Sequence, residues 1–216
     1  MRVKTEERRQ AIMVKALDVF RELGFDRASM SEISKRIGGS KATLYSYFDS
    51  KEELFTAAMS LSPEIGSVFG RFSDPNLKIN STAELRAELE RFAFEHLKLS
   101  LRPDILAMRR NLLNHGDRSD VSKRAFEAGP MKSFMAVTAF IDRMMREGFL
   151  RQDNPWFAMS HLIALEEAEL MNRRMLGLFR DVTDEMIREA TLRAVDVFFR
   201  AYGPEVVREE KGTKAA

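Results

Sequence analysis

The chain has 216 residues, of which 44% are apolar and 31% are charged, and its formal net charge is +2. This composition is typical of one large or two small globular domains and excludes an intrinsically disordered chain. Cysteine is absent, which excludes disulfides, thiolate nucleophiles and cysteine-ligated zinc. No apolar run approaches the ~18–20 residues that span a bilayer, and no signal-peptide pattern opens the sequence. We therefore expect a soluble, cytoplasmic protein without a metal site or cofactor.

Two helices joined by a short turn are predicted at the start of the chain. Apolar residues recur at helical spacing between Thr5 and Leu23, and Gly24 predicts a left-handed end to that helix. Ser29 and Glu32 then form a capping-box pattern, in which each side chain can bond the other's free backbone amide. The second helix therefore begins directly after Ser29.

Two further short helices complete the first 60 residues. Gly38-Gly39 predicts the end of the second helix, and Ser40 caps a third helix over residues 41–47. Ser50 and Glu53 repeat the capping-box pattern and predict the start of a fourth helix. The sequence thus predicts a compact helical unit over residues 1–60.

The rest of the chain is predicted to form a larger helical domain over residues 61–205. Residues 62–81 are rich in glycine, proline and serine, and we expect a domain boundary or a loose connector there. Further helices are predicted over 82–102, 105–113, 121–148 (kinked at Gly129-Pro130), 157–179 and 184–202. Residues 206–216 are predicted to be a charged tail. Because no segment shows strand alternation, the predicted fold class is all-α.

The segment from Ser31 to Phe48 has the organisation of a helix-turn-helix motif, whose second helix can enter a DNA major groove. At 100° per residue, Leu44 and Phe48 form the buried edge of that helix. Small and polar residues, namely Ala42, Thr43 and Ser46, lie opposite and can approach base edges. The flanking Tyr45 and Tyr47 can reach phosphates, and Lys41 and Lys51 offer cations.

Other interpretations of this segment remain open at this point. Helix-turn-helix patterns arise in helical proteins that bind no DNA, and tyrosines beside a short helix often serve packing. The charge balance does not decide, because residues 1–60 carry a net charge of only +2.

The stretch from Arg9 to Met59 closely resembles the N-terminal domain of the TetR family of bacterial transcription regulators. The matching motifs are Ala-Leu-Asp-Val-Phe-x-Glu-Leu-Gly-Phe over 16–25, Gly-x-Ser-Lys-Ala-Thr-Leu-Tyr-x-Tyr-Phe over 38–48 and Ser-Lys-Glu-Glu-Leu over 50–54. The resemblance implies a homodimer that reads palindromic double-stranded DNA. It also implies a C-terminal domain that dimerises and binds a small-molecule inducer.

Residue by residue, the resemblance and the helix geometry give one set of expected DNA contacts. These are Ser29, Ser40, Lys41, Ala42, Thr43, Tyr45, Ser46, Tyr47 and Lys51. Two positions depart from the family pattern. Gly39 stands where the family usually has an apolar β-branched residue, and Ala42 stands where the family often has glycine. We expect Gly39 to loosen the turn and Ala42 to change one contact.

An enzyme is the main rival interpretation of the C-terminal part. The dense acidic group there is Glu166-Glu167-Ala168-Glu169, and with His161 it matches no metal-binding spacing. We interpret Glu166 and Glu169 as a solvated helix face or a salt-bridge set at a dimer rim. We therefore predict no catalytic residues. A structural nucleoid-type DNA binder would need a more basic surface than this chain has.

The C-terminal helices are rich in methionine and phenylalanine, which favours an adaptable apolar cavity for a small ligand. The expected lining residues are Phe92, His96, Met108, Leu112, Phe134, Ile141, Leu162 and Glu166. Core filling is the simpler interpretation of each residue alone. For His96 both a hydrogen-bonded core position and a ligand-orienting role stay open.

The sequence thus predicts a DNA-binding transcriptional regulator, most simply a repressor that an apolar ligand releases from its operator. An activator, or a DNA-binding protein without a ligand, is the alternative. The helices over about 156–179 and 183–202 are expected to pair with their mates as a four-helix dimer interface.

Overall fold

The computed structural model describes residues 5–61, 63–74, 76–115, 123, 126–127, 130–179 and 181–204. All regular structure in these ranges is helical, as predicted. The helices are α1 (Glu6–Arg27), α2 (Met30–Ile37), α3 (Lys41–Tyr47), α4 (Lys51–Met59), α5 (Pro63–Gly70), α6 (Thr82–Ser100), α7 (Pro103–His115), α8 (Pro130–Arg146), α9 (Pro155–Glu167), α10 (Met171–Met175) and α11 (Asp184–Tyr202).

The predicted serine caps of the N-terminal helices are confirmed. The Oγ atoms of Ser29, Ser40 and Ser50 each accept a hydrogen bond from the backbone amide three residues later, at 3.0–3.1 Å. Each bond satisfies one of the donors that a helix start leaves free. The helix boundaries in this part of the chain are therefore encoded locally.

Three phenylalanine rings form the centre of the N-terminal core. The Phe55 ring of α4 meets Phe20 edge-on at 4.9 Å and Phe25 at 5.1 Å. Gly24 departs from helical geometry at the predicted place, with φ 73° and ψ 166°, and α1 then resumes for a last turn. This break lets both Phe20 and Phe25 point into the same core.

The expectation of a loose connector after residue 61 is wrong for much of that segment. It contains α5 and a 3₁₀ turn, Arg71–Ser73, and Phe69 and Phe72 from these elements are buried in the C-terminal core. Nε of Arg71 also donates to Oε1 of the buried Glu88 on α6, at 3.1 Å. Burial of two aromatic rings overrides the helix-breaking composition that suggested a loop.

The predicted long helix over 157–179 is also wrong, because the chain divides it into α9 and α10. Leu170 and Met171 are buried in a separate cluster with Leu97 of α6 and Ile187 of α11. A straight continuation of α9 would carry these side chains away from that cluster. The turn at 168–170 places them there instead.

Helix α7 joins the two halves of the molecule. It packs against α1, and Ala107 and Met108 are buried together with the core residues of α1–α4. Helices α6, α9 and α11 pack on one another behind it. The helix-turn-helix part is therefore held against the C-terminal helices through an apolar contact.

Some predicted features lie outside the described residues, namely the kink at Gly129 and the tail 206–216. Among the described helices, none is both long and apolar enough to cross a lipid bilayer.

The turn between α2 and α3 gives the first testable prediction. Gly38 has φ 71°, whereas an added Cβ at Gly39 would only contact Nη2 of Arg8 at an ordinary 3.6 Å. We expect Gly39→Ala to raise the free energy of unfolding by about 0.4–1 kcal/mol, because it restricts the unfolded chain. The matched Gly38→Ala variant should lower it by roughly 1–2 kcal/mol, because the left-handed conformation disfavours a side chain. Urea denaturation measures both, and a loss of stability at Gly39 would contradict the argument.

Candidate DNA-reading surface and ligand cavity

Helix α3 presents one apolar edge to the core and a polar face outward. Leu44 and Phe48 are buried, as the helix geometry predicted. Of the nine expected DNA contacts, six are exposed, and one of these, Ser29, lies at the start of α2. Two more are half-buried on α3, and Lys51 is half-buried at the start of α4. The structure thus brings eight of these residues to α3 and its ends and leaves Ser29 on the neighbouring helix.

The outward face of α3 combines a cation, a phenol and small side chains. Nζ of Lys41 lies 5.8 Å from the centroid of the Tyr45 ring, which is 42% exposed. The hydroxyls of Ser40 and Thr43 lie 2.9 Å apart, and the hydroxyl of Ser46 donates to the Thr43 carbonyl at 2.7 Å. These groups form a compact surface that can donate to phosphates and approach bases.

Tyr47 and Lys51 already make contacts within the protein. The Tyr47 hydroxyl accepts a hydrogen bond from the Thr5 amide at 3.3 Å, which leaves its own proton free to donate. Nζ of Lys51 donates to the Phe25 carbonyl at 3.0 Å and lies 4.2 Å from the centroid of that ring. An ammonium has three donors, so Lys51 can fix the end of α1 and still bond a phosphate.

A cavity of about 210 Å³ lies between the helix-turn-helix part and the C-terminal helices. It is smaller than the roughly 300 Å³ at which ligand pockets usually begin, and larger than the roughly 150 Å³ that accommodates benzene. One wall consists of Phe55, Thr56 and Met59 of α4 together with Ser60, which directly follows the helix. The sequence had not indicated these residues as ligand contacts. The cavity therefore borders α4, the helix that follows α3 in the chain and packs against α1.

The eight expected ligand contacts divide into two groups. Four of them line the cavity: His96, Met108, Leu112 and Phe134. The other four, Phe92, Ile141, Leu162 and Glu166, are fully buried in the core and are not part of the lining. Helical spacing predicted the apolar faces of these helices correctly, but it could not distinguish the residues that line the cavity from those that fill the core.

His96 and Glu166 form a buried polar pair beside the cavity. Nδ1 of His96 is hydrogen-bonded to Oε1 of Glu166, and the two residues are 5% and 0% exposed. Burial raises the pKa of Glu166 to about 7, against the opposing charge and hydrogen bond of His96. Burial lowers the pKa of His96, but the charge and hydrogen bond of Glu166 outweigh it, and that pKa is raised. The pair therefore retains a proton near neutral pH.

The expected solvated face of Glu166 and Glu169 is wrong for Glu166. Glu169 is exposed and pairs with Arg193 of α11 at 2.8 Å, which lowers the pKa of Glu169 through the hydrogen bond of Arg193. Because Glu166 and Glu169 are three residues apart, they were expected to share one helix face. Glu166 instead points inward, where it is hydrogen-bonded to His96, 70 residues away in the sequence. Only the tertiary structure reveals such a partner.

Arg109 is the charged residue in the cavity wall. Its guanidinium makes a two-pronged pair with Glu167 at 2.7 and 2.9 Å. Since its charge is matched, Arg109 does not make the cavity an anion site. Among the described residues, no group of three or more His, Asp or Glu is arranged to hold a metal ion.

Two family models match the chain. Residues 12–58 match a model described as "Bacterial regulatory proteins, tetR family", which covers the helix-turn-helix part. Residues 87–204, more than half of the chain, match one described as "AefR-like transcriptional repressor, C-terminal domain".

Individual proteins agree with these models. The HTH-type transcriptional activator FasR of Mycolicibacterium smegmatis is 41% identical over 58 residues, which are 27% of this chain and 26% of that protein. The match thus spans about a quarter of that relative. A TetR-family transcriptional regulator of Mesorhizobium loti, with a solved structure, is 24% identical with a TM-score of 0.67, covering 93% of this chain and 100% of that one. The flavonoid-responsive regulator FrrA is 26% identical with a TM-score of 0.60, covering 94% and 100%.

The buried pair predicts a pH dependence of stability. Both pKa values are raised by folding, so the native state binds more protons, and the pair's contribution is lost as pH rises through the folded pKa values. Relative to a His96→Phe/Glu166→Leu double variant, the wild-type protein should lose more than about 1.4 kcal/mol between pH 5 and 9, equivalent to one pKa unit. Urea denaturation at each pH measures this difference. A difference that stays flat or grows with pH would contradict the prediction.

Proposed function

This chain belongs to the TetR family of bacterial regulatory proteins, and we propose that it binds palindromic DNA as a homodimer and regulates transcription, most simply as a repressor. Because its target is chromosomal DNA, its place of action is the cytoplasm. The observation that carries the proposal is the outward face of α3, where a cation, a phenol and small polar side chains lie together.

The proposed division of labour on α3 follows from side-chain chemistry. Lys41, Tyr45 and Tyr47 have the reach and the donors to bond phosphates on the walls of the groove, which positions the helix without reading sequence. Thr43 lies on the central face, where its hydroxyl and methyl can contact a base edge. Specificity should therefore depend on Thr43 and affinity on the flanking groups.

The proposed dimer surface consists of the outer faces of α9 and α11. These helices pack side by side, and each leaves large apolar side chains exposed. They are Phe157 on α9, and Leu192 and Val197 on α11. Pairing with the same faces of a second copy would bury these side chains and form a four-helix interface. The symmetry would present two α3 helices to successive major grooves, roughly 34–36 Å apart.

The proposed regulatory ligand is a small apolar molecule bound in the 210 Å³ cavity. A ligand there contacts α4 directly, and Phe55 of α4 belongs to the same buried cluster as Leu44 of α3. It lowers DNA affinity if it binds better to an arrangement in which the two α3 helices no longer match the groove spacing. Flavonoids, with one of their rings buried in the cavity, are a starting class, because the similar regulator FrrA is flavonoid-responsive.

Activation of transcription is the second candidate. FasR, which resembles the DNA-binding part of this chain, is an activator. A DNA-binding protein of the same fold that responds to no ligand is the remaining alternative. Reporter transcription from the selected operator, with and without the protein, separates repression from activation.

Selection from random DNA duplexes tests the central proposal. We expect enrichment of an inverted repeat whose half-sites lie about one helical turn apart. The enriched site then serves as the operator in all later titrations. Recovery of duplexes without a shared inverted repeat would contradict sequence-specific binding.

Substitutions on α3 should separate affinity from specificity. Lys41→Ala should weaken binding to every sequence and reduce the salt slope by roughly one unit per subunit, because one phosphate contact is lost. Thr43→Ala should leave the salt slope unchanged and relax preference at one half-site position by about 1 kcal/mol. Lys78→Ala, an exposed lysine in the C-terminal part, is the control and should change neither quantity. Fluorescence anisotropy across a salt series measures both effects, and equal behaviour of the two α3 variants would refute the division.

A charge in the proposed interface should separate the subunits. Phe157→Asp should weaken the dimer at least about 10-fold, which corresponds to 1.4 kcal/mol, because it places a carboxylate against apolar side chains. Met135→Asp on α8 is a matched control, since these two residues are 53% and 56% exposed, and it should leave the dimer intact. Sedimentation at micromolar concentrations measures the equilibrium. A monomeric wild-type protein would contradict the dimer itself, and equal effects of both variants would contradict its location.

A further inference from the structure

His96 is the polar ring in a mostly apolar wall whose other rings are phenylalanines. Its ring stacks on Phe92 at 5.5 Å and meets the edges of Phe69 at 5.6 Å and Phe134 at 6.1 Å. Phe69 and Phe134 line the same cavity. This enclosure holds the imidazole in one orientation, with Nδ1 directed to Glu166. Nε2 is then the ring nitrogen available to a ligand, since among the described residues it makes no hydrogen bond.

Several other polar groups of the cavity wall already use hydrogen-bond donors within the protein. The Thr56 hydroxyl donates to the Glu52 carbonyl, and the Ser60 hydroxyl donates to the Ala57 carbonyl at 2.7 Å. The Arg109 guanidinium is paired with Glu167. The Ser100 and Ser133 hydroxyls can either donate or accept, so they impose no direction on a ligand. The oxygens of Thr56 and Ser60 can therefore only accept from a ligand, whereas Nε2 of His96 is held in a fixed direction and makes no hydrogen bond among the described residues.

The hydrogen bond to Glu166 determines what Nε2 presents. If the shared proton lies on Nδ1 of an imidazolium, Nε2 carries a proton as well. If the carboxyl group of Glu166 holds the shared proton and donates it to Nδ1, the neutral ring again carries its proton on Nε2. A further proton at low pH leaves this unchanged. Only loss of the shared proton, leaving a carboxylate and a neutral ring protonated on Nδ1, turns Nε2 into an acceptor.

Burial opposes that loss. Glu166 is fully buried, and its Oε2 has no hydrogen-bond partner among the described residues, so a net negative charge on the pair would be poorly solvated. The other charged groups facing the pair are Glu167, which favours proton retention, and Arg109, which opposes it. These two are paired with each other at 2.7 Å and largely offset one another.

We propose that His96 presents an Nε2–H donor to the cavity and thereby selects neutral ligands with an apolar body and a hydrogen-bond acceptor, a carbonyl above all. This inference rests on the proposed ligand site and names the class of molecule that the site takes. The cavity volume limits the buried part of the ligand to about one aromatic ring with a short substituent.

Two probes of nearly identical shape isolate the acceptor. Acetophenone has a carbonyl oxygen where α-methylstyrene has a methylene group, and the two molecules have the same ring, the same methyl group and the same number of heavy atoms. We expect calorimetric titration at pH 6.5 to give roughly 2- to 12-fold tighter binding of acetophenone, the range expected for one net hydrogen bond. In the His96→Phe/Glu166→Leu double variant the preference for acetophenone should disappear, because the donor is absent and an unpaired carbonyl is costly to bury.

A pH series on the wild-type protein gives a second readout that needs no substitution. Between pH 6.5 and 9.5 the preference for acetophenone should fall toward one, since neither probe titrates and only the shared proton of the pair is lost. Circular dichroism at each pH confirms that the protein stays folded. If the double variant does not fold, this series decides alone.

Several results would overturn the inference: a preference that persists in the double variant, one that does not change with pH, or no binding of either probe at millimolar concentration. Titration of the selected operator complex tests the proposed function separately. A probe that binds with the expected preference but leaves the DNA bound contradicts release by this ligand and supports the role of His96. If both probes release the DNA with equal potency, regulation stands and the role of His96 fails.

Discussion

The packing of the Phe55 ring connects the DNA-reading part of the molecule with the cavity, because the ring takes part in both. On one side its ring packs edge-on against Phe20 and Phe25 and closes the core of the DNA-reading part. On the other side it borders the cavity. Protein interiors are close-packed and transmit displacement, so a change at this ring affects both regions at once. Helix α4 therefore borders both the cavity and the core to which Leu44 of α3 belongs.

The His96–Glu166 pair imposes a different constraint, because a buried polar pair is costly unless both partners are satisfied. The pair joins α6 to α9 within an aromatic core. Apolar side chains of similar size could fill the same space. Such pairs are weak evidence for stability. In this pair one member, His96, lines the cavity, and its bond to Glu166 fixes the direction in which the imidazole can form one further hydrogen bond. In an apolar cavity that direction distinguishes ligands which hydrophobic contact cannot separate.

Local chemistry explains how much of this could be predicted from the sequence. The serine caps and Gly38 determine helix ends through bonds that span three or four residues, and these were predicted correctly. The failures share a long-range cause. Glu166 was assigned to a solvated face because its partner lies 70 residues away, and the segment with Phe69 and Phe72 was assigned to a connector because its burial comes from α6 and α8. The failure to distinguish cavity-lining residues from core residues has the same long-range cause, since both groups show helical periodicity in the sequence.

The size of the coupling that regulation requires is modest in comparison with these contacts. Allosteric coupling is typically about 1–3 kcal/mol, which is comparable with burying or exposing part of a single apolar side chain. A ligand that changes the packing of Phe55 or Met59 by that amount meets the requirement without an extended pathway through the protein. The sign is not inherent in this geometry: a ligand that favours the arrangement of α3 matching DNA strengthens binding, and one that favours another arrangement weakens it. Repression and activation can therefore share one cavity and one wall, and the difference between them lies in which arrangement the filled cavity stabilises.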